Sequence, residues 1–342
     1  MSFEVVSRPH VESFIAWAKD KPEVVVLTAD LTNSCEVGLW RDTYPDRFFS
    51  LGMAEQNLLS FAGGLAREGY TPFVHTFSVF LYRRAYDQLA MSIAYPNLRV
   101  RLVGFLPGLT TPGGATHQAI EDIAIMRATP NMTVLEVGDA TEVETVLDVA
   151  QSVPGPVYLR MLRGDVPRLF PASDPLEFDR ARVLSDGDDV TIFSAGIETE
   201  HAMVVARALA ESGIGVRHLH ISTHKPFGDP QILSSAARAR VGVVTVENHT
   251  VVGGLGSAVA EVMAEGAAGK RLVRVGIGDT YAHGGSRQYL LAEYGLDASG
   301  ILRAVESLLG SPTGIVPSDL DRLRMDLGFG AASRPVNAED SL

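Results

Sequence analysis

Short, unbroken runs of apolar and β-branched residues alternate along the chain with longer segments whose apolar positions recur at helical spacing. The runs predict buried strands at residues 24–27, 100–103, 133–135, 190–193, 216–219 and 241–246. The segments between them predict helices at residues 55–68, 83–94, 120–128, 142–151, 198–212 and 256–265. Uninterrupted apolar strands are typical of parallel sheets that helices cover on both faces. We therefore expect an α/β protein with two doubly wound units.

The alternation stops between residues 165 and 189, where three prolines and the charged turn SDGDD (185–189) interrupt it. Proline-rich and polar stretches commonly join domains, so we place the domain boundary there. The expected division is a first domain at 1–167, a linker at 168–187, a second domain at 188–310 and a C-terminal tail at 311–342. One short charged helix is expected within that tail, near residues 319–327.

The composition favours small-molecule chemistry over binding to nucleic acid or to a membrane. The 342 residues carry a formal charge of -12, and an acidic surface repels both nucleic acid and anionic lipid. No run of about eighteen apolar residues occurs, and the first ten residues lack the apolar core of a secretory signal. Cys35 is the single cysteine, which excludes an intrachain disulfide. We expect a cytoplasmic enzyme.

Several polar residues that could carry chemistry lie in a fixed order in the first half of the chain. Glu55 begins a predicted helix that is otherwise small and apolar over residues 58–66. Taken alone, an acid at this place is explained by the helix dipole. The segments FSVF (77–80), RRAYDQ (83–88) and GGATHQ (113–118) then follow. The last is a glycine-rich loop, whose permissive backbone can bring an imidazole close to a ligand.

These segments, in this order, resemble the pyrimidine-binding domain of transketolase and of its relatives, deoxyxylulose-phosphate synthase and the oxo-acid decarboxylase beta subunits. The similarity extends from about residue 8 to residue 305 and includes ADL (29–31), GMAEQN (52–57), IEDI (120–123) and PNMTV (130–134). KPF (225–227) and ENHTVVGGLG (247–256) resemble the C-terminal domain of the family. The resemblance implies a pyrimidine-binding domain for thiamine diphosphate, followed by a transketolase C-terminal domain.

The resemblance also implies roles for individual residues. Glu55 matches the carboxylate that binds the aminopyrimidine ring and activates the cofactor. Phe77 and Phe80 match aromatic positions of the pyrimidine pocket, although packing in the protein core would also explain them. Asp30 lies in a matching segment and is assigned to cofactor binding. His117 matches the histidine that binds the reactive end of the ketose and assists proton movement, so Glu55 and His117 are the expected catalytic residues.

Recognition of the substrate is implied at three further positions. Arg8, Ser34 and Arg163 match residues that hold a sugar phosphate, and guanidinium pairs bind phosphate or sulfonate oxygens bidentately. Each of the three could equally form a surface ion pair. The sequence departs from the family at Gly113, where an aspartate is usual, and within GFLP (104–107), where the phosphate-binding histidine is replaced. These departures indicate a donor other than an ordinary pentose or heptose phosphate.

The Gly-Asp-Gly motif that holds magnesium in full-length relatives does not occur in this sequence. Magnesium bridges diphosphate oxygens to protein oxygens, so a chain without this motif lacks the main anchor for the cofactor's charged end. The resemblance therefore implies a partner subunit that supplies the diphosphate domain and most Mg²⁺ ligands, in an α2β2 assembly. His218, His220 and His224 could suggest a metal site, but the matching region of the family holds no metal, so we expect no metal ligand in this chain.

The leading hypothesis is a transketolase-type transferase that is active only with a partner subunit. It would move a two-carbon ketol unit from a phosphorylated or similarly anionic ketose to an aldose. Two alternatives stay open: the beta subunit of a two-chain oxo-acid decarboxylase or dehydrogenase, and a non-catalytic scaffold subunit. The segments 83–88 and 114–118 favour transketolase over the decarboxylase, and the presence of Glu55 argues against the scaffold.

Overall fold

The computed structural model describes residues 3–328 of the chain. In chain order the strands are β1 (Glu4–Ser7), β2 (Val24–Thr28), β3 (Phe48–Ser50), β4 (Thr71–Phe77), β5 (Arg101–Phe105), β6 (Thr133–Glu136), β7 (Val157–Arg160), β8 (Asp165–Arg168), β9 (Arg182–Ser185), β10 (Val190–Ala195), β11 (Val216–Ile221), β12 (Thr223–Lys225), β13 (Gly242–Thr250) and β14 (Leu272–Ile277).

The α-helices are α1 (Pro9–Ala18), α2 (Gly38–Thr43), α3 (Glu55–Arg67), α4 (Tyr86–Gln88), α5 (Asp122–Ala128), α6 (Ala140–Ser152), α7 (Glu198–Glu211), α8 (Pro230–Arg238), α9 (Leu255–Glu265), α10 (Arg287–Glu293), α11 (Ala298–Leu309) and α12 (Pro317–Asp326). Two π-helical segments, Phe80–Arg84 and Leu89–Ala94, flank α4. No helix within residues 3–328 is long and apolar enough to cross a lipid bilayer.

Two largely parallel β-sheets, with helices between their strands, form the core of the molecule, which confirms the predicted α/β fold class. The larger sheet has the strand order β12-β6-β7-β5-β4-β2-β3, and the smaller has the order β14-β13-β10-β11-β9. All neighbouring strands in both sheets are parallel except β12 and β9, which are antiparallel strands at the sheet edges. The central strands β2, β4 and β5 are buried along their whole length. The apolar runs predict β2 and β5, whereas β4 was not predicted, because Thr71, Pro72 and His75 interrupt its apolar pattern.

Besides the chain connection itself, a pairing of strands joins the two halves of the chain. β12 belongs to the second half of the chain but pairs with β6, so it completes the sheet of the first half. β9 lies inside the segment predicted as the linker and pairs with β11 of the second sheet. The predicted domain limits stay a prediction. The charged helix expected near residues 319–327 is present as α12, and residues 329–342 lie outside the described part.

The helix predicted at residues 83–94 is not continuous, which corrects the sequence-based expectation. The two π-helical segments replace it, and between them the backbone at Ala85 leaves the helical region with φ -129° and ψ 28°. Two adjacent arginines at the end of the first segment bond different acids: Arg83 bonds Glu121, and Arg84 bonds Glu55. Local changes to π-helical winding are frequent at functional sites.

Candidate functional site

The predicted site residues lie at the carboxyl ends of the parallel strands in the larger sheet. Ser34 follows β2, Glu55 follows β3, Phe77 ends β4, His117 follows β5 and Arg163 follows β7. Carboxyl ends of parallel strands meet at one edge of a sheet, where the loops form a crevice that binds ligands in open α/β folds. The topology therefore brings residues that are far apart in sequence to one side of the molecule.

Glu55 is the first residue of α3 and is 1% exposed. Arg84 donates from Nη1 to both of its carboxylate oxygens at 2.9 Å. The guanidinium of Arg84 also lies 4.3 Å from the ring centre of Phe80. The sequence analysis assigned no role to Arg84, and its place within the segment 83–88 was the only signal.

Two phenylalanines and a histidine form one wall, which contacts Arg84, the partner of this acid, through Phe80. The rings of Phe77 and Phe80 are stacked, with centroids 5.9 Å apart and an angle of 28° between planes. His117 meets both rings edge-on, at 5.5 Å from Phe80 and 6.3 Å from Phe77. Its Nδ1 lies 2.8 Å from the hydroxyl of Thr116. An adjoining cavity of about 490 Å³ is lined by Val79, Phe80, Arg83, Arg84, Ala115, Thr116 and Tyr281, the last from the second half of the chain.

Arg83 fixes the loop that carries His117. It donates from Nε and Nη2 to the two carboxylate oxygens of Glu121, at 2.6 Å each. Its remaining donors reach the backbone carbonyls of Ala115 at 2.6 Å and Gln118 at 3.2 Å. One side chain thus binds both ends of the segment that contains the histidine. This bidentate pairing is the strongest geometry available to an arginine and a carboxylate, and sequence reasoning missed it.

Gly113 packs directly against the predicted catalytic histidine. A Cβ atom added at Gly113 would lie 3.0 Å from Cβ and 3.1 Å from Cγ of His117, which is too close without a shift. The same loop is held against the second half of the chain, because Gln118 donates to the carbonyl of His283 at 3.2 Å. The absence of a side chain at Gly113 therefore leaves the space that His117 occupies.

A group of charged and polar residues lies next to the aromatic wall, on the side of Phe77. Arg8 donates its backbone N–H to the carbonyl of Gly164 at 2.7 Å, and Arg163 donates from Nη1 to the carbonyl of Ser34 at 2.7 Å. The N–H of Gly164 donates to Oε1 of Glu36 at 2.7 Å. We call Arg8, Ser34, Glu36 and Arg163 the arginine cluster. The structure thus brings the three predicted substrate residues together, with a carboxylate that the sequence analysis did not consider.

The arginine cluster and the aromatic wall meet at Arg163, whose guanidinium carbon lies 6.0 Å from the ring centre of Phe77. Asp30 stands apart from these contacts. It is exposed in the loop after β2 with a left-handed backbone, φ 62°, and its side chain bonds no other residue of the described part. Its assignment to cofactor binding stays a prediction.

A buried network of charged residues lies at the carboxyl ends of β6 and β7. The guanidinium of Arg160 donates to Asp122 at 2.7 Å, to Glu136 at 2.6 Å and to the carbonyl of Asn248 at 3.1 Å. Burial alone would lower the pKa of Arg160, but the two carboxylates raise it above its usual value. Burial would likewise raise the pKa of Glu136, yet Arg160 and His224 lower it to about 2. The network links the two halves of the chain through the bond of Arg160 to the Asn248 carbonyl and through the contact of Glu136 with His224.

The histidines that could have suggested a metal site bond to protein groups instead. His218 lies 2.8 Å from the Ser194 hydroxyl, His220 lies 3.0 Å from Glu142, and His224 lies 2.7 Å from Glu136. Within residues 3–328, no group of three or more histidine, cysteine or acidic side chains is placed to hold a metal ion.

Comparison with known proteins agrees with this geometry. Residues 11–168 match the sequence profile of the transketolase pyrimidine-binding domain, and residues 179–301 match that of the transketolase C-terminal domain. The chain is 38% identical over 297 residues to the transketolase C-terminal section of Methanocaldococcus jannaschii, covering 86% of this chain and 93% of that one. It is also 38% identical over 300 residues to the 6-deoxy-6-sulfo-D-fructose transketolase subunit of a Clostridium species, covering 87% and 92%. A solved structure described as a split-gene transketolase, an inactive beta4 tetramer, superposes with a TM-score of 0.81 at 39% identity, covering 88% and 97%.

Proposed function

The chain belongs to the transketolase family, and we propose that it is one subunit of a split transketolase that depends on thiamine diphosphate. The partner subunit would carry the diphosphate-binding domain and most Mg²⁺ ligands. This proposal is supported by two relatives, one named a C-terminal section and one a split-gene enzyme, which this chain matches over nearly their whole lengths. The proposed reaction moves a two-carbon ketol unit from a ketose to an aldose.

The residues around Glu55 fit the aminopyrimidine half of the cofactor. A carboxylate that is 1% exposed bonds Arg84, and Arg84 lines the adjoining cavity together with Phe80, whose ring stacks on Phe77. A hydrogen bond from a ring to such an acid is shielded from the competition of water. When bound, the cofactor supplies the nucleophilic carbon that accepts the two-carbon unit.

Each side chain of the wall has a task that follows from its chemistry. Glu55 would hold a pyrimidine nitrogen, and Phe77 and Phe80 would pack on the ring and exclude water. His117 would give or take a proton at a substrate hydroxyl, which typically contributes about 10² to 10⁴ in rate. The observation that carries the proposal is that Phe80 lines the cavity and contacts both His117 and Arg84, the partner of Glu55, because the separate positions of these residues in the sequence do not require it.

Exposed apolar residues next to the site favour a docked partner subunit. Met53, at 79% exposed, precedes α3, and Phe61 lies on it. Tyr86, Met91 and Tyr95, the last also 79% exposed, follow on the adjoining segment, which packs against α3. Large apolar side chains gathered on a surface mark interaction sites. A relative whose tetramer of beta chains is described as inactive supports the need for a second type of subunit. The assembly that we propose is α2β2.

The test is to capture the chain with its endogenous partner and to measure bound thiamine diphosphate and ketol transfer. We expect cofactor in the complex, and a loss of about 10³ in kcat in Glu55→Gln with the complex intact. Glu68→Gln, an exposed acid at the other end of α3, is the matched control. Lipoamide-dependent acyl transfer would instead establish the decarboxylase, and full activity in Glu55→Gln would establish a scaffold.

A further inference from the structure

Glu36 places a buried carboxylate within the arginine cluster. The residue is 9% exposed and has a left-handed backbone, φ 56°, which places its side chain under the loop after β7. Its Oε1 accepts the N–H of Gly164, and the carbonyl of Gly164 accepts the N–H of Arg8. One glycine peptide segment therefore fixes the acid close to Arg8 and to Arg163, the residue that precedes that glycine.

The carboxylate of Glu36 offsets part of the positive charge of this cluster. Burial raises the pKa of the Glu36 carboxyl, the guanidinium groups of Arg8 and Arg163 oppose that shift, and Asp165 adds to it. The carboxyl of Glu36 thus interacts with the guanidinium groups of both predicted substrate arginines. A phosphate ester binds where positive charge is in excess. Here a dianion that approached Arg8 and Arg163 would also meet the carboxylate of Glu36, which would repel it.

The unpaired oxygen of Glu36 also favours an uncharged ligand over a phosphate. The second oxygen of Glu36, Oε2, is buried and has no hydrogen-bond partner within residues 3–328. A buried polar atom left unpaired is unfavourable, and a ligand that pairs with it gains that energy. An ionised carboxylate only accepts hydrogen bonds, and so does a phosphate dianion, whereas a sugar hydroxyl can donate.

We infer that Glu36 determines substrate specificity at the distal end of the ketose, and that it selects a donor ending in an uncharged hydroxyl over one ending in phosphate. The inference rests on the proposed transketolase function. It replaces the anionic donor expected from Arg8, Ser34 and Arg163 alone. Arg8 and Arg163 would then donate hydrogen bonds to oxygens of the uncharged sugar, while Oε2 of Glu36 accepts a hydrogen bond from its terminal hydroxyl.

Steady-state kinetics of the complex with its partner, thiamine diphosphate and Mg²⁺ test this directly. We expect wild type to favour xylulose over xylulose 5-phosphate by at least about tenfold in kcat/KM. Glu36→Gln keeps a carbonyl for the N–H of Gly164 and gains an amide donor for phosphate. It should lower KM for the phosphorylated donor and reduce the preference about tenfold. A wild-type preference for the phosphorylated donor, or an unchanged ratio in the variant, would overturn the inference.

Binding of inorganic phosphate, measured by calorimetry on the same complexes, separates this inference from the proposed function. Glu36→Gln should bind phosphate about tenfold more tightly than wild type, and this result does not depend on turnover. Equal affinities would contradict the role of Glu36. The tighter binding without cofactor-dependent transfer from any donor would reject the transketolase proposal but keep the anion selectivity. Glu12→Gln, an exposed acid on α1, should change neither measurement.

Discussion

One nitrogen of Arg84, Nη1, bonds both carboxylate oxygens of Glu55 at equal distances of 2.9 Å. The Glu55 side chain is 2% exposed and the Arg84 side chain is 46% exposed, so the pair joins a buried acid to a base at the surface. A buried carboxylate requires a counter-charge or equivalent hydrogen bonds. Arg84 supplies this counter-charge to Glu55, and a pyrimidine ring that binds Glu55 must share or displace the contact.

Replacing Arg84 by methionine should destabilise the chain, because it leaves the buried carboxylate of Glu55 without its counter-charge. The expected loss in free energy of unfolding is about 1 to 2 kcal/mol, less than for a fully buried pair because water reaches Arg84. Urea unfolding of the isolated chain measures it. Arg67 is an exposed arginine in the last turn of α3, the helix that begins with Glu55. The variant Arg67→Met should stay within about 0.5 kcal/mol of the wild-type free energy of unfolding.

Removing the Arg83 side chain should free the histidine loop. Arg83→Met loses the bonds to Glu121 and to the carbonyls of Ala115 and Gln118, so hydrogen exchange within residues 113–118 should accelerate. We expect kcat of the complex to fall about tenfold, because His117 is no longer held in one position. Glu121→Gln keeps the two carbonyl contacts and should have a smaller effect. Unchanged exchange in Arg83→Met would show that the loop is held by other contacts.

The sequence predicts the elements of this fold better than their long-range pairing. Apolar runs identify β2 and β5 because burial on both faces leaves a local signal. The pairing of β12 with β6 joins segments nearly ninety residues apart, and no local pattern reports it. Within the site, the order of motifs was sufficient to propose Glu55 and His117. The partners Arg84 and Glu36 were not found, because a charged residue in a sequence does not show which neighbour it will face.

An aspartate at Gly113 should impair the enzyme rather than restore a typical substrate preference. Its Cβ would come within 3.0 Å of His117, so the imidazole must move. We expect kcat to fall by about tenfold or more with every donor. Gly113→Ala, which adds the Cβ without the carboxylate, should lose most of the same activity. If the alanine variant is fully active and the aspartate variant alone changes donor preference, the crowding of His117 is not the controlling factor.

Glu198, at the start of α7, is a fully buried acid whose two carboxylate oxygens have no hydrogen-bond partner within residues 3–328. Burial raises its pKa to about 8, against a partial opposing effect of Arg287. In the unfolded chain a glutamate has a pKa of about 4.3. Between these two values the folded state keeps a proton that the unfolded state releases. The stability contributed by the protonated acid is therefore complete below about pH 4.3 and is lost as pH rises towards about 8.

Glu198→Gln removes this titration, since the amide stays neutral in both states. The variant should therefore be more stable than wild type at pH 9, by on the order of a few kcal/mol, and the gain should be much smaller near pH 5. Urea unfolding at the two pH values measures the difference, and Glu265→Gln, an exposed acid at the end of α9, should show no such dependence. The same gain at both pH values would mean that packing of the amide, and not the buried charge, limits the stability of this half of the chain.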